Sequence, residues 1–185
     1  EIRFTASALY TTNFSAPTEE FATSSPLLLH GNGTDVTVST TDSGIFGLSL
    51  TMAGQAHLEA AQYKFGASSM RFDGDGDAVQ TPESDTLDFG TGDFTIEMFI
   101  RMASLPAAVY VIYAKTTTGA EQVFIDYNGT TSELEIYVAG GVNSYSWSPS
   151  ANTWYHLALS RQNATARVFI YCTELYNFTS TGSCA

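Results

Sequence analysis

Basic residues are what this sequence has least of: 7 Lys and Arg stand against 19 acidic residues in 185, a net charge of −12. Such a surface repels phosphate backbones and anionic lipid, which argues against nucleic acid as a partner. Long apolar runs are also missing. No stretch of 18 or more apolar residues occurs, so no membrane-spanning helix is expected. There is no basic-then-apolar leader and the chain opens at Glu1, which reads as a processed or excised piece of something longer. Histidine is sparse, with His30, His57 and His156 scattered without metal spacing or a partnered nucleophile motif. No G-x-S-x-G elbow, phosphate-cradling loop or zinc pattern is present, and catalysis has no visible home.

Cysteine is limited to Cys172 and Cys184, thirteen residues inclusive, in a polar segment rich in Ser, Thr and Gly. The pair is expected to close a disulfide, which in the chain-entropy model would stabilise by roughly 3 kcal/mol in an oxidising compartment. Two unpaired thiols are the alternative. Five of the seven asparagines, Asn13, Asn32, Asn128, Asn163 and Asn177, head Asn-x-Ser/Thr sequons without an intervening proline. That excess suggests glycosylation in a secretory pathway, although Asn-Gly and Asn-Ala-Thr are also ordinary turn sequences.

What the chain has in quantity is alternation. Phe94, Ile96, Met98, Ile100 and Met102 point one way while Thr95, Glu97, Phe99 and Arg101 point the other, the two-residue period of a half-buried strand. Shorter strands are expected at Ser69 to Phe72 and Ala78 to Gln80, on either side of an Asp-Gly turn. The run LLLHG reads as a buried strand, Thr34 to Ala53 as an excursion of weak strand character, and Gln55 to Tyr63 as a candidate helix. VYVIYAK follows the Pro106 turn, and QVFIDYNGTTSELEIYV reads as a hairpin with a type I′ turn at Asn128 and Gly129. WYHLALSRQ pairs with ARVFIYC across an Asn-Ala-Thr turn. Strands joined by short turns, with 44% apolar and 13% aromatic residues, predict an all-β antiparallel two-sheet sandwich over residues 26–185. Residues 1–25 read as an extended arm or linker without a core of their own.

The stations KFGASSMRFDGDGDAV, LDFGTGDFTIEMFIRM and NTWYHLALSRQ, with PLLLHGNG ahead of them, resemble the laminin-G-like, concanavalin A-like jelly-roll family. The resemblance covers roughly Leu27 to Tyr171 and implies a jelly roll. It says less about function, because the fold carries lectins, adhesion modules, virion proteins and glycosidases alike. The chain departs from the family after the WYHLAL hairpin, where YCTELYNFTSTGSC replaces the usual turn and closing strand. The tail Glu174 to Phe178 could stand in, or the strand could lie outside the sequence or come from another copy. Ile2 to Ala6 is the obvious donor, by strand addition to an open edge.

Candidate chemistry is thin. The glucanase branch resembled here spaces its acids as Glu-x-Asp-x-x-Glu on one strand, and no such string occurs. Glu133 and Glu135 come nearest, in an ordinary place for solvent-facing glutamates. Asp73, Asp75 and Asp77 match the opening of a calcium loop but lack its glycine and closing glutamate, so a plain hairpin competes with metal. If calcium binds, the ligand pool is Asp73, Asp75, Asp77, Asp85, Asp88 and Asp93, and no other cofactor is expected. His156 is expected to be packed or hydrogen-bonded. Tyr137, Tyr145 and Trp147 are candidates for a sugar-stacking platform.

The reading that follows is a non-enzymatic structural or assembly module, extracellular or on a cell or virion surface. It would join other copies of itself, or sister surface proteins, through Ile2 and Phe4 of the arm in a filament, matrix or virion appendage. Deleting Glu1 to Pro26 would then abolish assembly and leave the domain folded. A calcium-assisted, glycan-binding adhesion module is the alternative, and a glycosidase the third.

Overall fold

The computed structural model describes residues 1–117 and 120–184, leaving aside the side chains of residues 117, 120 and 121. Among the described residues, regular structure is strand except for one 3-10 turn at Asp85–Leu87. The larger antiparallel sheet has six strands in the spatial order β14 (Thr173–Thr179), β13 (Thr165–Ile170), β12 (Trp154–Gln162), β7 (Phe94–Arg101), β1 (Ile2–Thr5) and β2 (Leu27–Leu29). The smaller has four, β11 (Gly141–Ser146), β10 (Glu133–Val138), β9 (Ala120–Asn128) and β8 (Val109–Thr117). Two short ribbons pair β3 (Thr51–Ala53) with β6 (Ala78–Gln80), and β4 (His57–Glu59) with β5 (Ser69–Arg71). The expected all-β sandwich is present, and the candidate helix around Gln55 to Tyr63 contributes a strand instead.

Alternation builds the core. Phe94, Ile96 and Met98 of β7 register against Arg161, Leu159 and Leu157 of β12. With Phe4, Leu27, Leu29, Ala166 and Val168 they face Val123, Ile125, Tyr127, Leu134, Ile136 and Val138 of the smaller sheet. Arg161 closes one end of this layer: fully buried, it stacks on Phe94 and donates to the carbonyls of Gly90, Gly92 and Gly182. A buried guanidinium needs several acceptors, and backbone carbonyls supply them here.

The larger sheet is buried on its other face as well, which corrects the half-buried reading of β7. Residues 6–25 form no strand but run across that face. Phe21 packs with Leu28 and Phe99, and Phe14 stacks on Tyr10 at 3.6 Å while meeting Phe169 edge-on. Backbone bonds fix the path: Leu9 N–H donates to Thr95 Oγ1 at 2.9 Å and Phe14 N–H to the Cys172 carbonyl at 3.1 Å. The arm is corrected too. β1 is an interior strand, with Ile2 between Leu29 and Met98 and Phe4 only 1% exposed. Ile2 and Phe4 are therefore engaged in their own chain, and the tail Glu174 to Phe178 closes the opposite edge as part of β14.

One turn differs from expectation and another is built from unusual residues. Asn128 and Gly129 do not form a two-residue type I′ turn: Asn128 pairs with Glu133, so the loop is four residues long and ends at left-handed Ser132. The Asn128 side-chain oxygen accepts from the amides of Thr130 and Thr131, winding the loop around itself. A Cβ on Gly129 would meet the Pro106 carbonyl, so the close approach there requires glycine. The β13–β14 turn is two residues, Tyr171 and Cys172, both at positive φ (50° and 65°) where Asn-Gly would be usual.

That turn also decides the cysteines, which are free and buried rather than bridged. Cys172 points into the outer layer of the six-stranded sheet, its sulfur 3.6 Å from His156 Nδ1. Cys184 sits in the inter-sheet core, 3.5 Å from the Arg161 guanidinium. The sheet itself separates them. Burial, with the Glu97 charge adding to it, pushes the Cys172 thiol up to about 11. Both groups are thus poor nucleophiles. Native protein is expected to give close to no reaction with a thiol reagent over minutes, and two thiols per chain in denaturant; a disulfide would leave the denatured, unreduced protein silent.

Candidate functional site

The four-stranded sheet keeps an open face. In β9, the alternation that sends Val123, Ile125 and Tyr127 inward turns Phe124, Asp126 and Asn128 outward. In β10, Leu134, Ile136 and Val138 go inward and Glu133, Glu135 and Tyr137 outward. The register sets Tyr137 opposite Phe124 and Glu135 opposite Asp126. Aromatic therefore faces aromatic in one row and carboxylate faces carboxylate in the next. The two rings meet edge-on with centroids 6.4 Å apart. With exposed Val142 from β11, these four side chains line a shallow depression of about 170 Å³. Asn128 donates its amide to Glu135 Oε1 at 2.9 Å, orienting that carboxylate.

Chemically the depression offers an apolar wall beside two carboxylates. Directly opposed acids on neighbouring strands are close, since cross-strand Cβ atoms lie about 4.5–5.5 Å apart. The site suits a ligand with a flat apolar face and several donors.

The expected platform is only partly here. Tyr137 belongs to it. Tyr145 registers against inward-facing Leu134 and stacks on Tyr176 at 4.0 Å, at the joint between the two sheet edges. Trp147 is buried against Tyr127 and Tyr155. Phe124, Asp126 and Val142 went unnoticed in the sequence, although the same alternation that marked Glu133 and Glu135 would have marked Phe124 and Asp126.

The aspartate pool does not converge. Asp77 accepts backbone amides from Gln55 and Asp73, Asp73 accepts that of Asp75, and Asp93 accepts that of Asn163. Asp88 pairs with Lys115 at 2.7 Å, and Asp85 begins the 3-10 turn. The bond from the Asp73 amide holds the Asp77 carboxyl below its ordinary range. These aspartates shape loops. Among the described residues, the group that brings three ligand atoms within 4.8 Å of one another is Glu1, Glu20 and His30. Of the sequon asparagines, Asn13, Asn32, Asn163 and Asn177 are exposed, while Asn128 is half-buried at the depression.

His156 is hydrogen-bonded, as expected, inside a network the sequence did not suggest. Its Nε2 lies 2.9 Å from Glu97 Oε2 on the covered face of the six-stranded sheet. Tyr10 donates to the same oxygen at 2.8 Å, and Arg3 donates Nε to Oε1 at 2.8 Å and pairs through its terminal nitrogen as well. Burial pushes the Glu97 carboxyl up, but the His156 bond, the Arg3 charge and the Tyr10 bond outweigh it and leave it below the ordinary value. With Glu97 0% exposed, this network is structural.

Solved structures of similar shape include a Bacillus licheniformis beta-glucanase, at 14% identity over 92% of this chain and 78% of that one, with a TM-score of 0.42. Another is a "putative carbohydrate binding protein" from Bacteroides ovatus, at 10% identity over 98% of this chain and 70% of that one, with a TM-score of 0.41. No curated protein matches the chain. The model of the concanavalin A-like lectin/glucanases superfamily matches residues 73–183, from the Asp-Gly turn to the tail that caps Arg161, and the chain belongs to that superfamily.

Proposed function

We propose that this domain is a non-catalytic carbohydrate-binding module whose sugar platform is the open face of the four-stranded sheet. The observation that carries the reading is the double cross-strand pairing, Phe124 with Tyr137 beside Asp126 with Glu135, in one depression. A pyranose presents an apolar face of C–H groups and a rim of hydroxyls. The rings would take the first and the carboxylates the second, as in other sites that combine apolar walls with a few placed polar groups. The small volume favours one ring at a time, and the net charge of −12 favours neutral or amino sugars over sulfated or uronic ones. Membership of a lectin and glucanase superfamily supports the sugar but does not choose between binding and hydrolysis. The acids here lack the one-strand spacing that the glucanase branch uses, and Glu135 is tied to Asn128, which supports binding; the opposed pair of Glu135 and Asp126 by itself suits hydrolysis equally, since a retaining glycosidase sets its two carboxyl groups about 5–5.5 Å apart. The four exposed sequons support an extracellular setting, where such a module would attach its parent chain to a glycan surface. Assembly through the first residues loses its physical basis, since β1 is occupied within its own sheet.

The test is a glycan array followed by titration calorimetry. Neutral oligosaccharides should bind, Tyr137→Ala should weaken them at least tenfold, about 1.4 kcal/mol, and Tyr145→Phe should leave affinity unchanged. Absence of any glycan ligand, or indifference to Tyr137→Ala, would remove the reading. Release of reducing ends that is lost in Glu135→Gln would replace it with a glycosidase.

A further inference from the structure

We infer that Glu1, Glu20 and His30 form a binding site for a borderline divalent transition-metal cation, zinc in the first place. The site lies apart from the sugar platform and does not depend on it. Its ligands come from three segments: Glu1 directly precedes β1, Glu20 belongs to the stretch that covers the six-stranded sheet, and His30 directly follows β2. His30 Nδ1 is 2.5 Å from Glu1 Oε1 and 4.0 Å from Glu20 Oε2. The first contact shows that these groups already share one small volume.

Three observations argue for a cation there. The Glu1 side chain is only 3% exposed, and its Oε2 is buried without a hydrogen-bond partner among the described residues. A buried carboxylate oxygen without a donor is costly, and a metal ion is one of the few groups that could satisfy it. Both carboxylates are also pre-oriented from behind: the Phe21 amide donates to Glu1 Oε1 and the Asn32 side chain to Glu20 Oε1 at 2.7 Å. Outer bonds of this kind hold ligand oxygens in place around metals. Finally, the side chain of Glu20 is 37% exposed, so the site opens to solvent on one side, giving the ion a path in and room for water ligands.

One imidazole nitrogen with two carboxylates is a donor set for zinc and its neighbours rather than for calcium, which takes six to eight oxygens. Ligand bonds of about 2.0–2.2 Å in a tetrahedral arrangement require the 2.5 Å contact between His30 and Glu1 to open and Glu20, 4.0 Å from His30, to draw in, the latter a movement that exposed Glu20 can supply. A bound ion would clamp the covering segment onto β1 and β2, so it should stabilise the fold by mass action.

Titration calorimetry of the chelator-treated full chain with zinc chloride is expected to show one saturable site. At a free zinc concentration a hundred times Kd, the folding equilibrium should shift about a hundredfold and the melting temperature should rise. Glu20→Gln should weaken zinc at least tenfold while leaving the zinc-free melting temperature unchanged, His30→Asn should abolish binding, and His57→Asn should change nothing. Calcium chloride should give no saturable heat. Absence of a one-to-one zinc site, or equal zinc affinity in Glu20→Gln and the parent chain, would overturn the assignment. Because Glu20 is solvent-facing, that variant decides the matter even if His30→Asn fails to fold.

Discussion

A chain shortened to begin at Pro26 is expected to lose its cooperative thermal transition and its near-ultraviolet circular dichroism, although it keeps every residue of the predicted sandwich. β1 is hydrogen-bonded on both sides, to β2 and to β7, so its removal orphans two rows of backbone groups in the middle of a sheet. The buried rings of Phe4 and Phe21 go with it, and Leu28, Phe99 and Phe169 lose their cover. At about 1.5–3 kcal/mol for each large apolar side chain returned to water, these five approach or exceed the whole net stability of an ordinary domain, about 5–15 kcal/mol. Addition of a synthetic peptide of residues 1–25 should restore the transition by refilling the gap. A shortened chain that melts cooperatively on its own would show that β1 and the covering segment are dispensable, and would return them to the role of a free arm.

The first residues have the composition of a linker but fold as an interior strand and a covering segment. The strand Phe94–Arg101 and the station NTWYHLALSRQ announce themselves because alternating side chains meet two different environments at a regular period. The covering segment has no period. Tyr10, Phe14 and Phe21 anchor it at irregular intervals between Thr, Ser, Ala and Pro, which is also the composition of a linker, and only the opposite surface makes sense of their spacing. The same holds for Glu97. Alternation assigned it to the outward face, where a glutamate is unremarkable, but its partners Arg3 and Tyr10 lie 94 and 87 positions away. Cys172 was placed in a polar loop by its neighbours in sequence, whereas a turn with two left-handed residues aims it at His156. The depression proposed as a sugar platform was half legible. Its register follows from alternation in β9 and β10, but which large aromatics face outward depends on strand phase, and Tyr145 and Trp147 are out of phase with Tyr137. The group of Glu1, Glu20 and His30 has a spacing that matches no metal motif, and its proximity is created by β1 lying beside β2 and by the covering segment that brings Glu20 to them.

Replacing Glu97 by Gln should cost about 3–5 kcal/mol of stability, the range found when one partner of a buried ion pair is removed. For a domain of this length that corresponds to a fall of roughly 6–20 °C in melting temperature. The loss has two parts. Arg3, with 17% of its side chain exposed, keeps its charge without a counter-ion. The amide, which brings a donor where the carboxylate had only acceptors, cannot receive Arg3 on one side and Tyr10 and His156 on the other, as Glu97 Oε1 and Oε2 do. If the energy resides in the pair, Arg3→Met together with Glu97→Gln should cost clearly less than the two single changes added, as neighbours in one network do. The pH dependence carries the same signature with a definite sign. The Glu97 carboxyl titrates lower in the folded chain than its ordinary value of 4.5, so the unfolded chain takes up this proton first. The contribution of Glu97 is therefore fully present above that ordinary value and is lost as pH falls through the depressed folded one. Denaturant midpoints of the parent chain and Glu97→Gln should run parallel from neutral pH down to about 5, then converge in more acid solution as the parent chain loses its advantage. A gap that stays constant to the acid limit would mean that the carboxylate acts through packing alone and that its charge does not hold the covered face together.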